Sequence, residues 1–174
     1  SPDDLKQWAE AGILKRIYNK NGSYTSSFMA SRLWVADYAA KNEIGKVLDF
    51  NELAESSGDK TGKGIKRLGV LRADVDGLGA AFIAGFIHKE NKNPEAYATL
   101  SRYAALSRSM ALFFRKIIKG ICKKELPEGI KPFYLFEDKD GEPRKIHVVY
   151  SGGDDLFLVG AWDDLMGFAV DLKR

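Results

Sequence analysis

Apolar and polar positions form their clearest pattern after residue 64. Residues 67–73 are mostly apolar and are followed by Asp74, which predicts a buried strand that presents an acidic residue at its end. The glycine-containing turn 76–79 comes next, and the apolar residues 80–87 predict a helix packed on the sheet. This part of the chain is therefore predicted to be a strand, a turn and a helix.

A second, longer helix is predicted to begin at residue 94. Asn93 is suited to cap it, and Pro94 is suited to its first position, where proline loses no hydrogen bond. Apolar residues then recur at spacings of three and four, which predicts one apolar face in the core. These residues are Tyr103, Leu106, Met110, Phe113, Phe114, Ile117, Ile118 and Ile121.

Three short apolar runs follow this helix. Residues 133–136 predict a strand, and the acidic, glycine-containing sequence 138–141 predicts a solvated hairpin turn after it. Residues 146–150 and 156–159 predict two buried strands, and the sequence Ser-Gly-Gly-Asp-Asp at 151–155 joins them. Because glycine permits a tight reversal, we expect these two strands to form a hairpin.

A last helix is predicted from Trp162, with acidic residues in its first turn. The order strand, helix, helix, hairpin, helix predicts an α+β domain with a mainly antiparallel sheet and helices on one face. The polar, glycine-rich segment 56–64 predicts a flexible connection. We therefore divide the chain into a small mixed N-terminal appendage with its linker, 1–64, and a principal domain, 65–174.

Composition narrows the class of protein. The chain has 174 residues, is 45% hydrophobic and carries a formal charge of +3, which is weak evidence for an anionic partner. The single cysteine, Cys122, excludes an internal disulfide, and no apolar run is long enough to span a membrane. We expect a soluble cytoplasmic protein. Because the chain lacks an initiator methionine and stops inside a predicted helix, we also expect it to be part of a longer protein.

The acidic residues point to a metal site. If the first strand pairs with the hairpin, Asp74 lies within a few ångströms of Asp154 and Asp155, and three carboxylates share a small volume. Hard divalent cations such as Mg²⁺ relieve the repulsion, because they prefer oxygen ligands. Two such ions roughly 3.5 to 4 Å apart support nucleotidyl transfer. The alternative is a set of turn-forming and capping aspartates.

Neighbouring residues fit a nucleotide. Asp76 either binds metal or caps the following helix. The glycines Gly77 and Gly79, and likewise Gly152 and Gly153, allow phosphates to approach the backbone closely.

Three segments together resemble a known family. Residues 67–79, 100–108 and 149–160 resemble the cyclase-type palm of the large subunit of type III CRISPR effector complexes, and the III-A (Csm) branch fits best. The resemblance implies a palm or ferredoxin-like nucleotide-cyclase fold in 65–174, incomplete at its C-terminus. It also implies the synthesis of cyclic oligoadenylates from ATP with Mg²⁺ or Mn²⁺, switched on when the guide-RNA complex binds target RNA.

The resemblance also implies roles for single residues. Asp74, Asp154 and Asp155 match the catalytic, metal-binding carboxylates, and the Val75 carbonyl is a further metal-ligand candidate. The sequence Gly77, Leu78 and Gly79 matches a phosphate-contacting turn. Candidates for contacts with a base or ribose are Ser101 and Ser107.

The resemblance further implies partners beyond this chain. They are the other subunits of the effector complex, target RNA and a second palm-like domain of the parent protein. The parent is also expected to carry an HD-type nuclease domain for single-stranded DNA, which this sequence does not contain.

Two other functions compete with this hypothesis. One is a diguanylate cyclase-like enzyme that uses GTP, although Asp155 is followed by Leu156 where those cyclases carry an acidic residue. The other is a catalytically silent palm that binds nucleotide or neighbouring subunits as a scaffold.

Overall fold

The computed structural model divides the chain into two compact units, Ser1–Val35 and Ala36–Arg174. It describes residues 35–90 and 92–173, together with residues 4, 7–8, 10–12, 17–19 and 30–32 of the first unit. In that unit, strand β1 (Ile17–Asn19) pairs in parallel with strand β2 (Ala30–Arg32).

The helices and strands of the second unit are α1 (Phe50–Glu55), β3 (Leu68–Asp74), α2 (Leu78–Ala84), α3 (Leu100–Leu112), α4 (Ile118–Cys122), β4 (Ile146–Gly152), β5 (Asp155–Ala161) and α5 (Trp162–Lys173). The elements from β3 onward follow the predicted order of strand, helix, helix, hairpin and helix, and the helix α1 precedes them. A π-helical turn, Phe113–Ile117, joins α3 to α4, and Glu137–Lys139 forms a 3-10 turn. The α+β class is confirmed.

The sheet has the strand order β3-β5-β4, and both pairings are antiparallel. The predicted hairpin is therefore present, with its second strand at the centre of the sheet. The prediction that both of its strands are buried is wrong for β4, because β4 lies at an edge and Tyr150 is 52% exposed. The prediction of a buried first strand is wrong in one respect, because β3 lies at an edge. Its side chains alternate between exposed and half-buried, and Val70 is 63% exposed. The alternation is expected of a strand that covers the core with one face only.

The core lies between one face of this sheet and the helices α4 and α5. Its buried members are Phe114, Ile118, Ile121, Cys122, Ile146, Leu156, Leu158, Leu165 and Phe168. The packing of α4 and α5 on one face matches the prediction. The helix predicted after Asp74 to pack on the sheet does not do so with a buried face, because α2 has no buried residue and Ile83 is 77% exposed. Of the predicted apolar stripe, only Phe114, Ile118 and Ile121 are buried. Ile117, which lies between them, is 49% exposed, and α3 has no buried residue. The π-helical turn adds a residue within the helix, and this rotates the face that reaches the core.

The start of the long helix differs from the prediction. The helix α3 begins at Leu100 and is preceded by Thr99, whereas Asn93 and Pro94 lie in turns before it. The Pro94 carbonyl accepts a hydrogen bond from the His88 N–H at 3.0 Å, so it serves a contact with the preceding segment. Proline is therefore not the first residue of this helix.

The predicted strand at 133–136 is not formed. The Phe133 N–H donates to the Asp171 carboxylate at 3.0 Å, and its carbonyl accepts from Arg144 at 3.3 Å. Because side chains satisfy this backbone, no neighbouring strand is needed. The acidic segment after it is a 3-10 turn, with Gly141 at φ +79°, rather than a hairpin turn.

The glycine-rich segment 56–64 lies within the second unit. The Asp59 carboxylate accepts hydrogen bonds from the Lys63 N–H at 2.6 Å and the Thr61 hydroxyl at 2.8 Å, which close the segment into a loop. The boundary between the two compact units thus lies after Val35 and not within 56–64. The assignment of a domain to 65–174 stays a prediction. Among the described residues, no helix is both long and apolar enough to cross a membrane.

Candidate functional site

The tip of the β4–β5 hairpin consists of two residues, Gly153 and Asp154. Gly153 has φ +69°, a conformation that two-residue hairpin turns use and that glycine adopts at little cost. The Tyr150 hydroxyl donates to the Gly152 carbonyl at 3.0 Å, which is a hydrogen bond within β4 just before the tip. The sequence therefore specifies a short, tight tip that presents Asp154 to solvent.

Strand register brings three carboxylates together. Asp74 lies directly opposite Asp155 in the antiparallel pairing of β3 with β5, and Asp154 is the adjacent tip residue. One carboxylate oxygen from each of the three residues lies within 4.8 Å of the others. The Val75 N–H donates to the Asp154 carbonyl at 3.0 Å, which ties the tip to the end of β3. The expected juxtaposition is thus present.

The three carboxylates of the cluster repel one another. The hydrogen bond from Asp74, then burial and the Asp74 and Asp154 charges raise the pKa of Asp155 above its ordinary value, while Arg72 opposes the shift. This is the behaviour of carboxylates that share a site.

The donor set fits a hard divalent cation. It offers three carboxylate oxygens, and its residues are exposed or half-buried, so substrate oxygens and water can complete the coordination. Asp74, Asp154 and Asp155 would hold the metal. Among the described residues, the group of carboxylates close enough to share a metal ion is Asp74, Asp154 and Asp155, and Asp76 does not belong to it.

The turn after β3 has the glycine geometry that was expected. Gly77 has φ +71° and immediately precedes α2, and an added Cβ at Gly77 or Gly79 meets no atom within 4 Å. Leu78 is half-buried and Asp76 is exposed. Backbone space is therefore open beside the acidic cluster. Phosphate contacts by Gly77, Leu78 and Gly79, and metal contacts by Asp76 and the Val75 carbonyl, stay predictions.

The two serine candidates lie on α3. Ser101 and Ser107 are both exposed, and the Ser101 hydroxyl is 3.0 Å from the Thr99 hydroxyl. The helix contacts the segment after α2 through Tyr103, whose ring lies 5.1 Å from that of Phe86. Contacts of these serines with a nucleotide stay predictions.

Sequence reasoning missed one contact of the hairpin. The Ser151 hydroxyl donates to the Phe114 carbonyl at 2.6 Å and so connects β4 to the π-helical turn. The serine is visible in the sequence beside the two glycines, but its partner is 37 residues away, and the pattern gives no sign of the π-helical turn.

Comparison with known proteins matches this chain to a known family. Residues 67–174 match the family described as Cas10/Cmr2, second palm domain. The chain is 40% identical over 160 residues, 92% of its length, to the CRISPR system single-strand-specific deoxyribonuclease Cas10/Csm1 (subtype III-A) of Mycobacterium tuberculosis. The protein of the same name from Streptococcus thermophilus is 36% identical over 159 residues, 91% of this chain. The chain spans 17% of the length of each relative.

Solved structures give the same result. The Csm1–Csm4 cassette in complex with one ATP matches 90% of this chain with a TM-score of 0.64 and 34% identity, over 20% of the solved chain. The cassette in complex with cA4 matches 82% of this chain with a TM-score of 0.62 and 35% identity, over 18% of the solved chain.

Proposed function

Because this chain belongs to the family of Cas10/Cmr2 second palm domains, with relatives among the Csm1 proteins of subtype III-A, we propose that it carries out metal-dependent nucleotidyl transfer from ATP. The product is a cyclic oligoadenylate. Family membership confirms the resemblance that the three sequence motifs indicate. The observation that carries the proposal is the group of three carboxylates at the end of β3 and the hairpin tip.

The chain's own residues have distinct roles in this proposal. Asp74, Asp154 and Asp155 hold the metal, and the open surface beside them receives the triphosphate. Bound Mg²⁺ or Mn²⁺, as a pair of ions, supplies activation of the attacking hydroxyl and stabilisation of the leaving pyrophosphate. Gly152 and Gly153 place no side chain over the hairpin, so a nucleotide can lie close to its backbone.

Solved relatives support ATP as the substrate. The Csm1–Csm4 cassette has been solved with ATP, with AMPPNP, with pppApApA and with the cyclic species cA3 and cA4. A triphosphate, a linear oligonucleotide and cyclic compounds on one assembly are what successive adenylyl transfers and a closing step would involve. This chain is 31–35% identical to those proteins. This identity supports the same class of substrate for this chain.

The proposal includes partners outside this chain. We place it in a guide-RNA effector complex activated by target RNA, beside a Csm4-type subunit and a further palm-like domain of the parent protein. The relatives' name as single-strand-specific deoxyribonucleases supports a nuclease activity elsewhere in the parent.

The test uses the full-length parent protein in its effector complex. The complex is incubated with ATP, Mg²⁺ or Mn²⁺ and matched target RNA, and the products are identified by mass spectrometry. Wild type is compared with Asp154→Ala/Asp155→Ala, and with Glu125→Ala/Glu128→Ala, which removes two exposed carboxylates outside the cluster. We expect cyclic oligoadenylates from wild type and the control, and none from the cluster variant.

Other outcomes select the competing functions. Consumption of GTP in preference to ATP would replace the proposal with a diguanylate cyclase-like enzyme. Nucleotide binding without turnover in any sample would indicate a scaffold palm. Equal activity of the cluster variant and wild type would show that the chemistry lies elsewhere.

A further inference from the structure

An irregularity in β4 decides which of its side chains face the helices. Val148 pairs with Leu158, and Tyr150 pairs with Phe157, so Val149 is an extra residue in the β4 strand. Such a bulge changes which later side chains point to each face of the sheet. Val149 is 57% exposed, in agreement with its position outside the regular pairing.

The bulge directs Ser151 toward the core side. Ser151 pairs with Leu156, which is a fully buried core residue, whereas Tyr150 is 52% exposed. Directly paired residues share a face of an antiparallel sheet, so Ser151 faces the helices and Tyr150 faces away from them. Without the extra residue Val149, Tyr150 would face the helices and Ser151 would face away from them.

A second irregularity meets Ser151 from the helix side. In the π-helical turn, the Ile118 N–H donates to the Phe113 carbonyl, five residues earlier, rather than to Phe114 as in an α-helix. The Ser151 hydroxyl donates to the Phe114 carbonyl at 2.6 Å. The turn therefore leaves the Phe114 carbonyl without its α-helical donor, and the serine supplies one.

We propose that Ser151 is a positioning residue for the acidic cluster, acting through this bond to the π-helical turn. It immediately precedes two glycines, which have more backbone freedom than other residues and carry no side chain to pack. The Asp154 carbonyl is held on the far side of the tip by the Val75 N–H at 3.0 Å. Bonds on both sides of the glycines fix where Asp154 and Asp155 lie relative to Asp74.

The proposal rests on the proposed function for its kinetic consequence, but its structural part can be measured separately. Removing one hydrogen bond of this kind changes a local opening equilibrium by roughly two- to tenfold. The effect should be confined to the hairpin tip and the π-helical turn, because β5 remains paired on both sides.

Three variants of the full-length parent protein in its complex test the proposal. Ser151→Ala removes the hydroxyl, and Ser151→Thr keeps a hydroxyl on a residue suited to strands. Ser56→Ala is the matched control, because it also removes a serine hydroxyl that donates to a helix carbonyl, Leu53 at 2.8 Å. Amide hydrogen exchange is followed for peptides covering 113–119 and 151–155, with 156–161 as the internal reference.

We expect Ser151→Ala to speed exchange of the first two peptides by roughly two- to tenfold, and Ser151→Thr to restore the wild-type rate. Unchanged exchange in Ser151→Ala, or the same change in Ser56→Ala, would overturn the proposal. Faster exchange throughout the domain would show general destabilisation and would equally overturn it.

Metal binding and turnover supply the functional readout. Mn²⁺ affinity is measured without ATP, and the rate is then measured as a function of metal concentration. We expect Ser151→Ala to raise the metal concentration needed for half-maximal binding and rate by roughly two- to tenfold, with KM for ATP less affected. An unchanged metal requirement beside faster exchange would overturn the positioning role. If wild type bound Mn²⁺ but turned over no nucleotide, the proposed function would fail, and the exchange and affinity measurements would still decide the role of Ser151.

Discussion

Replacing Arg144 with methionine is expected to destabilise the fold severely. The Arg144 side chain is 1% exposed and forms an ion pair with the buried carboxylate of Asp171. Its guanidinium also donates to the carbonyls of Ile121, Asp164 and Phe133, each at 3.3 Å. One side chain thus joins α4, α5 and the loop before β4.

The magnitude follows from what the substitution leaves behind. Methionine has a similar reach but no charge, so the Asp171 carboxylate stays buried without the guanidinium that neutralises it. Breaking a buried ion pair from one side costs about 3–5 kcal/mol. This is a large part of the 5–15 kcal/mol by which a domain is typically stable. Adding Asp171→Asn should recover part of the loss, because it removes the charge and keeps an oxygen that can accept from the Phe133 N–H.

Urea unfolding followed by tryptophan fluorescence measures this prediction. The control is Lys119→Met, which breaks the ion pair of Lys119 with Asp37, whose side chains are 35% and 30% exposed. A pair with that much solvent contact contributes at most about 1 kcal/mol. If Arg144→Met cost no more than Lys119→Met, or if Asp171→Asn lowered the stability of the Arg144 variant further, the reasoning would be refuted.

Two further substitutions test the site and the sheet. A raised folded-state pKa of Asp155 means that the metal-free chain loses stability as pH rises from the ordinary aspartate pKa through the raised value. Because Asp74 is the largest cause of this raised pKa, Asp74→Asn should raise the metal-free melting temperature at pH 7. It should also reduce the stabilisation of the fold by Mg²⁺. A melting temperature at or below that of wild type would contradict this. Gly160→Ala should lower the unfolding free energy by about 1–3 kcal/mol, because a Cβ there would lie 2.5 Å from the Lys145 carbonyl oxygen and 2.7 Å from the Ile146 Cα. Gly79→Ala, where a Cβ meets nothing within 4 Å, is the matched control, and equal effects would show that crowding is not the cause.

The sequence was sufficient to predict the sheet elements that build the site. Two apolar runs separated by a glycine-containing reversal specify the hairpin, and the strand ending at Asp74 is specified in the same way. The pairing of the first strand with the hairpin is only a condition at the level of the sequence, and the antiparallel register of β3 with β5 confirms it. Given that pairing, the sequence predicts that Asp74 lies close to the tip aspartates.

The features that failed prediction depend on contacts distant in sequence. The segment at 133–136 has strand-like composition, yet Asp171 and Arg144 bind the backbone of Phe133. The apolar stripe is predicted at a constant period through Phe113–Ile117, where the π-helical turn changes the period. Local periodicity carries no information about either the distant carboxylate or the inserted turn.

The arrangement around the acidic cluster separates stability from chemistry. The core-facing side of β5 carries Leu156 and Leu158, which are fully buried, whereas Asp155 begins the same strand on the opposite face, at the end next to the hairpin tip. Carboxylates that repel one another are thus held by a strand fixed through its other face. None of the three carboxylates belongs to the buried core on which the fold depends. A function that requires the three charges together, such as binding a divalent cation, accounts for their position better than a structural role.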